Sequence, residues 1–458
     1  MTERLNVLLV VVACGRWDHF SCDGYDRETT PFIDTVARQG VRFQQMITTA
    51  PTPLAAHASL FTGVFPSTHG ATEESPFLSS RHPLLPERLR AAGYRTAAFC
   101  TTDWVSPETG FGRGFDVFHT QRTVGRFTGP ARLYARKARD RVLGRQDAGA
   151  RRTNQALLQW LAGGAEPFFA FVHYDEAHLP YRPPAPYDRL FMPRGVTDEN
   201  VAAVNRDANA CFAGAVSMSD GDFAILTALY DGALRYVDMR LKEVAEALQR
   251  DGLWDRTLLI VTADHGEHLG AGRTIGHKFG LHDALLRVPL VIRCPSRIPG
   301  GYLVEEVAQS VDIVPTVLTI AGAAGEGTSW SGRALFRDGR ATAGPAYAVA
   351  ERFRPNLDGL RRRFPRFDAR PHDVRMKAIR TRKEKFIWRS DEANELYDLT
   401  LDPTEECNLI TVRPARAEAQ RRQLFDWFAT TERAESGTQA PAIDAQTRAQ
   451  LDRLGYMD

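Results

Sequence analysis

The chain lacks most of the signals that assign a protein quickly. Its six cysteines, Cys14, Cys22, Cys100, Cys211, Cys294 and Cys407, include no C-x-x-C pair. Neither a disulfide framework nor a thiolate zinc cluster is expected, and most of the thiols are read as small buried hydrophobes. No apolar run approaches the roughly 18 residues that span a bilayer. Ahead of the first strand there is no basic, apolar and small-residue succession of a secretory leader, so no membrane partner and a cytoplasmic location are expected. Charge of one sign is also lacking: 58 basic against 56 acidic residues give a net +2. That balance argues against a nucleic-acid partner and leaves any attraction for an anionic ligand to a local cluster. No internal repeat is present, and nothing in the sequence speaks to oligomeric state. What remains is 458 residues, 43% hydrophobic and 25% charged, enough for one large core and a smaller second unit, since single cores stop growing near about 250 to 300 residues.

Apolar runs alternate with helical patterns through the first three quarters of the chain, which predicts an α/β fold with a mostly parallel sheet covered by helices on both faces. Val7 to Val12, Thr96 to Cys100, Phe168 to His173, Leu258 to Thr262 and Leu290 to Arg293 are read as central strands. A long helix is expected from about Phe223 to Arg250, another begins at Asp312-Ile313, and an amphipathic helix runs from Pro414 to about Thr430. The glycine-rich stretch Gly322 to Gly332 marks a boundary between a unit of residues 1–330 and a small α+β unit of residues 331–458. The arginine-rich segments Ala131 to Arg152 and Arg361 to Arg370 either frame a site entrance or form solvated helix faces.

Thr262-Ala263-Asp264-His265-Gly266-Glu267 is the most informative stretch. It presents a carboxylate and an imidazole at the carboxyl end of a buried strand, the edge of an open α/β sheet where ligands bind. Followed by a glycine that lets the backbone approach a ligand, the pair is half of a metal site; alone, it is a helix N-cap followed by a loop histidine. Twelve residues beyond His265 stands His277-Lys278.

Context decides between these readings. Arg16-Trp17-Asp18-His19 follows the first strand, Tyr25 to Pro31 leads into a helix, and His57-Ala58-Ser59-Leu60-Phe61-Thr62-Gly63, His173 to Tyr181, Arg287 to Val291, Glu395 to Leu399, Asp402-Pro403 and Leu454-Gly455-Tyr456 come in order. Taken together these segments resemble the sulfatase family of the alkaline phosphatase superfamily, in its sulfatase and phosphonate monoester hydrolase branch, over nearly the whole chain. The resemblance implies an alkaline-phosphatase-like sheet with a small C-terminal α+β unit, and hydrolysis of a small-molecule sulfate or phosphate ester. A divalent cation polarises one oxygen of the tetrahedral group in such enzymes, while Lys and His meet the remaining charge. It further implies Asp264 and His265 as metal ligands for calcium, manganese or magnesium. Lys278 and His277 correspond to oxyanion contacts, and His178 to the histidine that assists the leaving group or binds the oxyanion. His57 stands where the family opens its helix with Arg or His. A surface lysine remains the other reading of Lys278, and a structural hydrogen-bonded histidine that of His173.

The chain departs from the family pattern twice. Ala13 stands where an acidic metal ligand follows the first strand, and Cys14 where sulfatases often carry a second acid; a packed thiol and a soft-metal ligand are the two readings of Cys14. Asp18 lies too far on to replace the acid and is read as structural. Pro53 occupies the nucleophile position, so formylglycine is excluded, and Thr52 is the nearest hydroxyl, either a nucleophile at a helix N-terminus or a turn residue. Three readings follow: a divergent hydrolase, a degenerate fold that binds an anion or a protein partner, or a working enzyme into which Ala13 was introduced. Specificity is expected from loops at Thr101 to Phe118 and Arg122 to Arg152, with Trp104, Phe111, Arg113 and Arg126 facing a sugar or aryl group.

Overall fold

The computed structural model describes residues 4–120, 147–164, 166–324 and 330–431. Arg126, most of the first arginine-rich segment and the Leu454-Gly455-Tyr456 motif lie outside the described residues. The large sheet has nine strands: β1 (Asn6–Val12), β2 (Val41–Ile47), β3 (Arg95–Cys100), β4 (Val117–Thr120), β5 (Phe168–Tyr174), β6 (Thr257–Thr262), β7 (Arg287–Val288), β8 (Leu290–Arg293) and β9 (Tyr302–Gln309), in the order β4-β3-β5-β1-β6-β8-β2-β7 with β9 on β2.

β1 explains the layering. All seven of its residues are buried, and because successive side chains alternate sides, Val7, Leu9 and Val11 enter one apolar cluster while Leu8, Val10 and Val12 enter another. A strand buried on both faces reads as a continuous hydrophobic run. Helix α1 (Pro31–Gln39) and the 31-residue helix Asp220–Arg250 cover one face. Helix α2 (Pro53–Thr62), buried at every position, and the helix Ile313–Ile320 cover the other.

The block β4-β3-β5-β1-β6 is parallel throughout. β8, expected as a central strand, runs antiparallel to β6. Residues 263–289 hold only one-turn helices, Ala271–Arg273 and Asp283–Leu286, so no crossover helix carries the chain back to the far end of the sheet. That segment stays at the carboxyl edge and builds the site. β2 was not legible as a strand, because Arg42, Gln44 and Gln45 interrupt its apolar alternation; it pairs with β8 and β7 antiparallel and with β9 parallel.

After a short hairpin of β10 (Phe336–Arg337) and β11 (Arg340–Ala341), a four-stranded antiparallel sheet of β12 (Tyr347–Arg352), β13 (Met376–Thr381), β14 (Glu384–Arg389) and β15 (Glu395–Asp398) is backed by the helix Pro414–Thr430. The expected division near residue 330 falls beside residues 325–329, outside the described residues. The two sides share a core, since Ile47, Leu286 and Val307 pack with Ala350, Ala378 and Ile387. Gln309 extends this union along the backbone: its side chain donates to Val349 O at 2.8 Å and accepts from Val349 N at 3.2 Å. Of the six cysteines only Cys14, Cys100 and Cys294 are buried, fewer than expected. Among the described residues no helix is long and apolar enough to cross a membrane.

Candidate active site

In register, Val11 of β1 lies opposite His173 of β5 and Thr262 of β6. The residues immediately beyond these strands therefore emerge together at the carboxyl edge. Ala13 donates its backbone N–H to Tyr174 O at 2.9 Å, and its side chain is buried and apolar. Cys14 turns the chain with φ 56°. A non-glycine residue rarely adopts that conformation, and here it is held from both ends. Its N–H donates to Asp264 Oδ1 at 3.1 Å, and its carbonyl accepts from the Tyr230 hydroxyl at 2.7 Å.

Asp264 is not a helix cap. Its Oδ1 also accepts the His265 N–H at 2.9 Å, while Oδ2 stands 3.7 Å from His57 Nδ1 and 3.4 Å from His265 Nε2. Burial opposes its charge, but His265, His57, His173 and the backbone donor hold the carboxyl well below the usual carboxylate range. The neighbouring glycine acts differently from its expected role. A Cβ at Gly266 would meet Ala284 O at 2.0 Å, so the close approach is to the backbone of the following helical turn, with Gly266 N bonded to Leu285 O at 2.8 Å, rather than to a ligand.

The histidines around Asp264 share one arrangement. His57 Nδ1 donates to Pro53 O at 2.7 Å and His265 Nδ1 to Gly266 O at 2.9 Å; a carbonyl has no proton to give, so each neutral ring carries its lone pair on Nε2. The Thr101 hydroxyl gives its single proton to His173 O at 3.0 Å and therefore accepts from His173 Nδ1, also at 3.0 Å. In all three, Nε2 is buried with no hydrogen-bond partner among the described residues. Burial lowers all three pKa values, to about 3 for His173 and about 4 for His265. Imidazoles fixed through Nδ1 by an acceptor, with the other nitrogen bare, are the usual presentation of metal ligands. One ligand atom from each of His57, His173 and Asp264 lies within 4.8 Å of the other two. These orphaned nitrogens fit a divalent cation, and an imidazole-rich set fits manganese or zinc better than calcium or magnesium.

The His178 and His277 rings have centroids 5.1 Å apart, and the His277 ring lies 4.2 Å from that of His265. Burial pulls the His178 pKa down, but Asp175 and Glu267 outweigh it and leave the value raised. Asp175 is itself pushed up to about 6, first by burial and then by Asp264 and Asp103. Lys278 is half-buried, and its carbonyl accepts from Arg352 Nε at 3.2 Å. It borders a cavity of about 180 Å³ whose walls include His268, Phe212, Phe279, His372 and Arg352. Phe212 and Phe279 stack there at 3.8 Å.

Thr52 ends as the residue before α2 and makes no cap bond. Its hydroxyl pairs with Glu73, whose pKa burial raises. The expected specificity residues are placed elsewhere. Trp104 and Phe111 are core residues, and Arg113 is tied to Glu87 and to Ser79 O at 2.8 Å, because the Thr101 to Phe118 loop folds down onto the sheet instead of out over the edge. Asp18 is structural as expected, gripped by Arg16 at 2.9 and 2.7 Å. Sequence reasoning missed Glu267, Glu73 and the aromatic wall; Glu267 stood two residues from His265, and its signal was a carboxylate in the same strand-end loop.

A mixed sheet with this donor set at its carboxyl edge defines a metal-dependent hydrolase fold of the alkaline phosphatase superfamily. The family model for sulfatases matches residues 5–323, and the chain belongs to the sulfatase family, whose members are sulfuric ester hydrolases. It is similar to the multifunctional alkaline phosphatase superfamily protein PehA of Trinickia caryophylli, 28% identical over 382 residues covering 70% of this chain and 74% of that protein. A choline-sulfatase of Rhizobium meliloti is 24% identical over 446 residues, 89% of this chain and 83% of the relative. Among solved structures, the phosphonate monoester hydrolase of Agrobacterium radiobacter superposes with a TM-score of 0.74 at 24% identity, covering 93% and 96% of the two chains.

Proposed function

We propose that the chain hydrolyses a small sulfate ester, or its phosphate or phosphonate counterpart, with a divalent cation held by Asp264 and His265 and by His57 and His173. The observation that carries this reading is the set of three buried imidazoles, each with Nδ1 engaged and Nε2 bare, converging on one ionised carboxylate. When bound, the cation supplies Lewis acidity toward an ester oxygen.

The chain's own residues supply the rest. Lys278 meets a peripheral oxygen of the anion with a compact positive charge. The organic part of the ester enters the adjoining cavity, where the stacked Phe212 and Phe279 favour an aromatic or flat group and Arg352 adds positive charge. Thr52, hydrogen-bonded to the half-buried Glu73, gives the nucleophile. The carboxylate takes its proton, and its oxygen bonds to sulfur or phosphorus while the ester's alcohol leaves with a proton from solvent. Water then hydrolyses the Thr52 ester and restores the hydroxyl. Burial raises the Glu73 pKa and makes it a better base than an exposed glutamate. Pro53 has no thiol to convert, so the reaction runs without formylglycine.

Ala13 and Pro53 favour one other reading, a protein that binds an anion or a partner without turning it over. A screen of sulfate, phosphate and phosphonate monoesters with manganese and zinc separates the two. Turnover that is lost in Asp264→Ala and reduced at least tenfold in Lys278→Ala supports the hydrolase, whereas turnover unaffected by Asp264→Ala, or none with any ester, overturns it.

A further inference from the structure

Cys14 is the residue the family pattern leaves unexplained, and its surroundings are built. Its Sγ stands 3.7 Å from His277 Nδ1, and one ligand atom from each of Cys14, His178 and His277 lies within 4.8 Å of the other two. Glu267, fully buried, places Oε1 3.8 Å from the same His277 nitrogen, and neither of its oxygens has a hydrogen-bond partner among the described residues. Three donors thus surround one small volume, and a fourth, Glu267, borders it at His277.

We infer that Cys14, His178, His277 and Glu267 form a second metal site, distinct from the Asp264 site and suited to zinc or another thiolate-binding divalent ion. Zinc bonds of about 2.3 Å to sulfur and about 2.0 Å to nitrogen, at a tetrahedral angle, put sulfur and nitrogen about 3.5 Å apart. The Cys14–His277 separation of 3.7 Å is close to that ligand–ligand edge, so little movement is needed to admit an ion.

Three further features agree. His178 Nδ1 donates to Leu179 O at 2.6 Å, which in the neutral ring leaves the lone pair on Nε2. The backbone at Cys14 is fixed in the left-handed region by Asp264 and Tyr230, a conformation that persists only where the surroundings over-determine it. Glu267 is fully buried, with no hydrogen-bond partner for either oxygen among the described residues; a buried carboxylate calls for a partner, and a dication provides one.

Binding breaks the Cys14 S–H bond, forms a sulfur–metal bond and releases one proton to solvent, with no change in oxidation state. His178 and His277 then serve as ligands instead of oxyanion contacts, and Lys278 keeps that task.

The test is titration of the full, reduced, chelator-stripped chain with cobalt(II) chloride. A near-ultraviolet sulfur-to-cobalt charge-transfer band is expected, lost in Cys14→Ser and weakened in affinity at least tenfold in Glu267→Gln. No band in the wild-type protein, or a band that survives Cys14→Ser, overturns the inference. Because a variant at a fixed turn can fail to fold, X-ray absorption of the zinc-loaded wild-type chain is the second measurement: one sulfur at about 2.3 Å among nitrogen and oxygen neighbours supports the site, and no sulfur overturns it. Failure here is separable from failure of the hydrolase reading, since the band requires no turnover and ester hydrolysis requires no band.

Discussion

The backbone N–H of Cys14 donates to Oδ1 of Asp264 at 3.1 Å, tying the turn after the first strand to the carboxylate after the sixth. One oxygen of Asp264 is therefore spent on the frame and the other faces His57 and His265. This division of labour separates two substitutions. Asp264→Asn keeps a carbonyl oxygen for the backbone and removes the charge, so it is expected to fold normally and lose at least about tenfold in divalent-cation affinity, about 1.4 kcal/mol. Asp264→Ala loses both, and calorimetric titration of chelator-stripped protein is expected to show no binding at that site. Equal affinities for wild type and Asp264→Asn would contradict the assignment.

Ala13 is buried one residue before the Cys14 N–H that Asp264 holds, at the position where the resemblance implies an acid. Ala13→Asp is expected to raise affinity for calcium and manganese at least about tenfold, because carboxylate count sets much of a hard-cation site's affinity. The same titration checks it, and unchanged affinity would show that position 13 no longer faces the ion.

Glu176 predicts the pH dependence of stability. Its Oε1 accepts the Ala150 N–H at 2.7 Å, its Oε2 is buried without a hydrogen-bond partner among the described residues, and burial, with Asp147, pushes its pKa from 4.5 up to about 8. A carboxyl whose folded pKa is raised contributes stability that is complete below pH 4.5 and is lost as pH rises through about 8. Across that window the loss approaches about 1.4 kcal/mol per pH unit for a fully buried group. Glu176→Gln should match wild type at pH 5 and exceed its melting temperature at pH 9; parallel melting curves at the two pH values would refute the argument.

The small sheet is anchored by buried charge. Lys385, fully buried, reaches Asp283 Oδ1 at 2.5 Å and Glu405 Oε1 at 2.7 Å, while Arg380 meets Asp283 Oδ2 at 2.6 Å. Removing one partner of a buried cluster leaves uncompensated charge, which costs about 3 to 5 kcal/mol. Lys385→Met is accordingly expected to lower the denaturant midpoint strongly at neutral pH, and Lys385→Met with Glu405→Gln to recover part of the loss. A double variant no more stable than the single one would show that charge is not the cause.

How much of this was readable depended on where each signal came from. β1, β5 and β6 were legible because continuous apolar runs have one meaning in a covered parallel sheet, and Asp264 and His265 were legible because they follow one of those runs directly. β2 hid behind Arg42 and Gln44, which are half-buried, and Gln45, which is buried and accepts from Arg380 Nη1 at 2.6 Å. The direction of β8 depended on the absence of a crossover helix, which periodicity does not report. His173 stayed ambiguous because what fixes its tautomer is Thr101, 72 residues away. Lys278 and the cavity beside it depend on Arg352 and Phe212, partners that no local motif connects. Aromatic residues near Thr101 to Phe118 looked like a specificity loop because composition does not say on which side of the sheet a loop folds.

The Gln309 side chain that mimics a strand against Val349, and the charges joining Asp283 to Lys385, have a consequence for how this molecule can be divided. A fragment ending before the short hairpin would hold Asp264, His265, His57 and His173, yet it would leave Asp283 without Arg380 and Lys385, turn Ile47 and Val307 toward water, and remove the Arg352 wall of the cavity. Truncation at the glycine-rich stretch would therefore cut through a shared apolar cluster and a buried charge cluster.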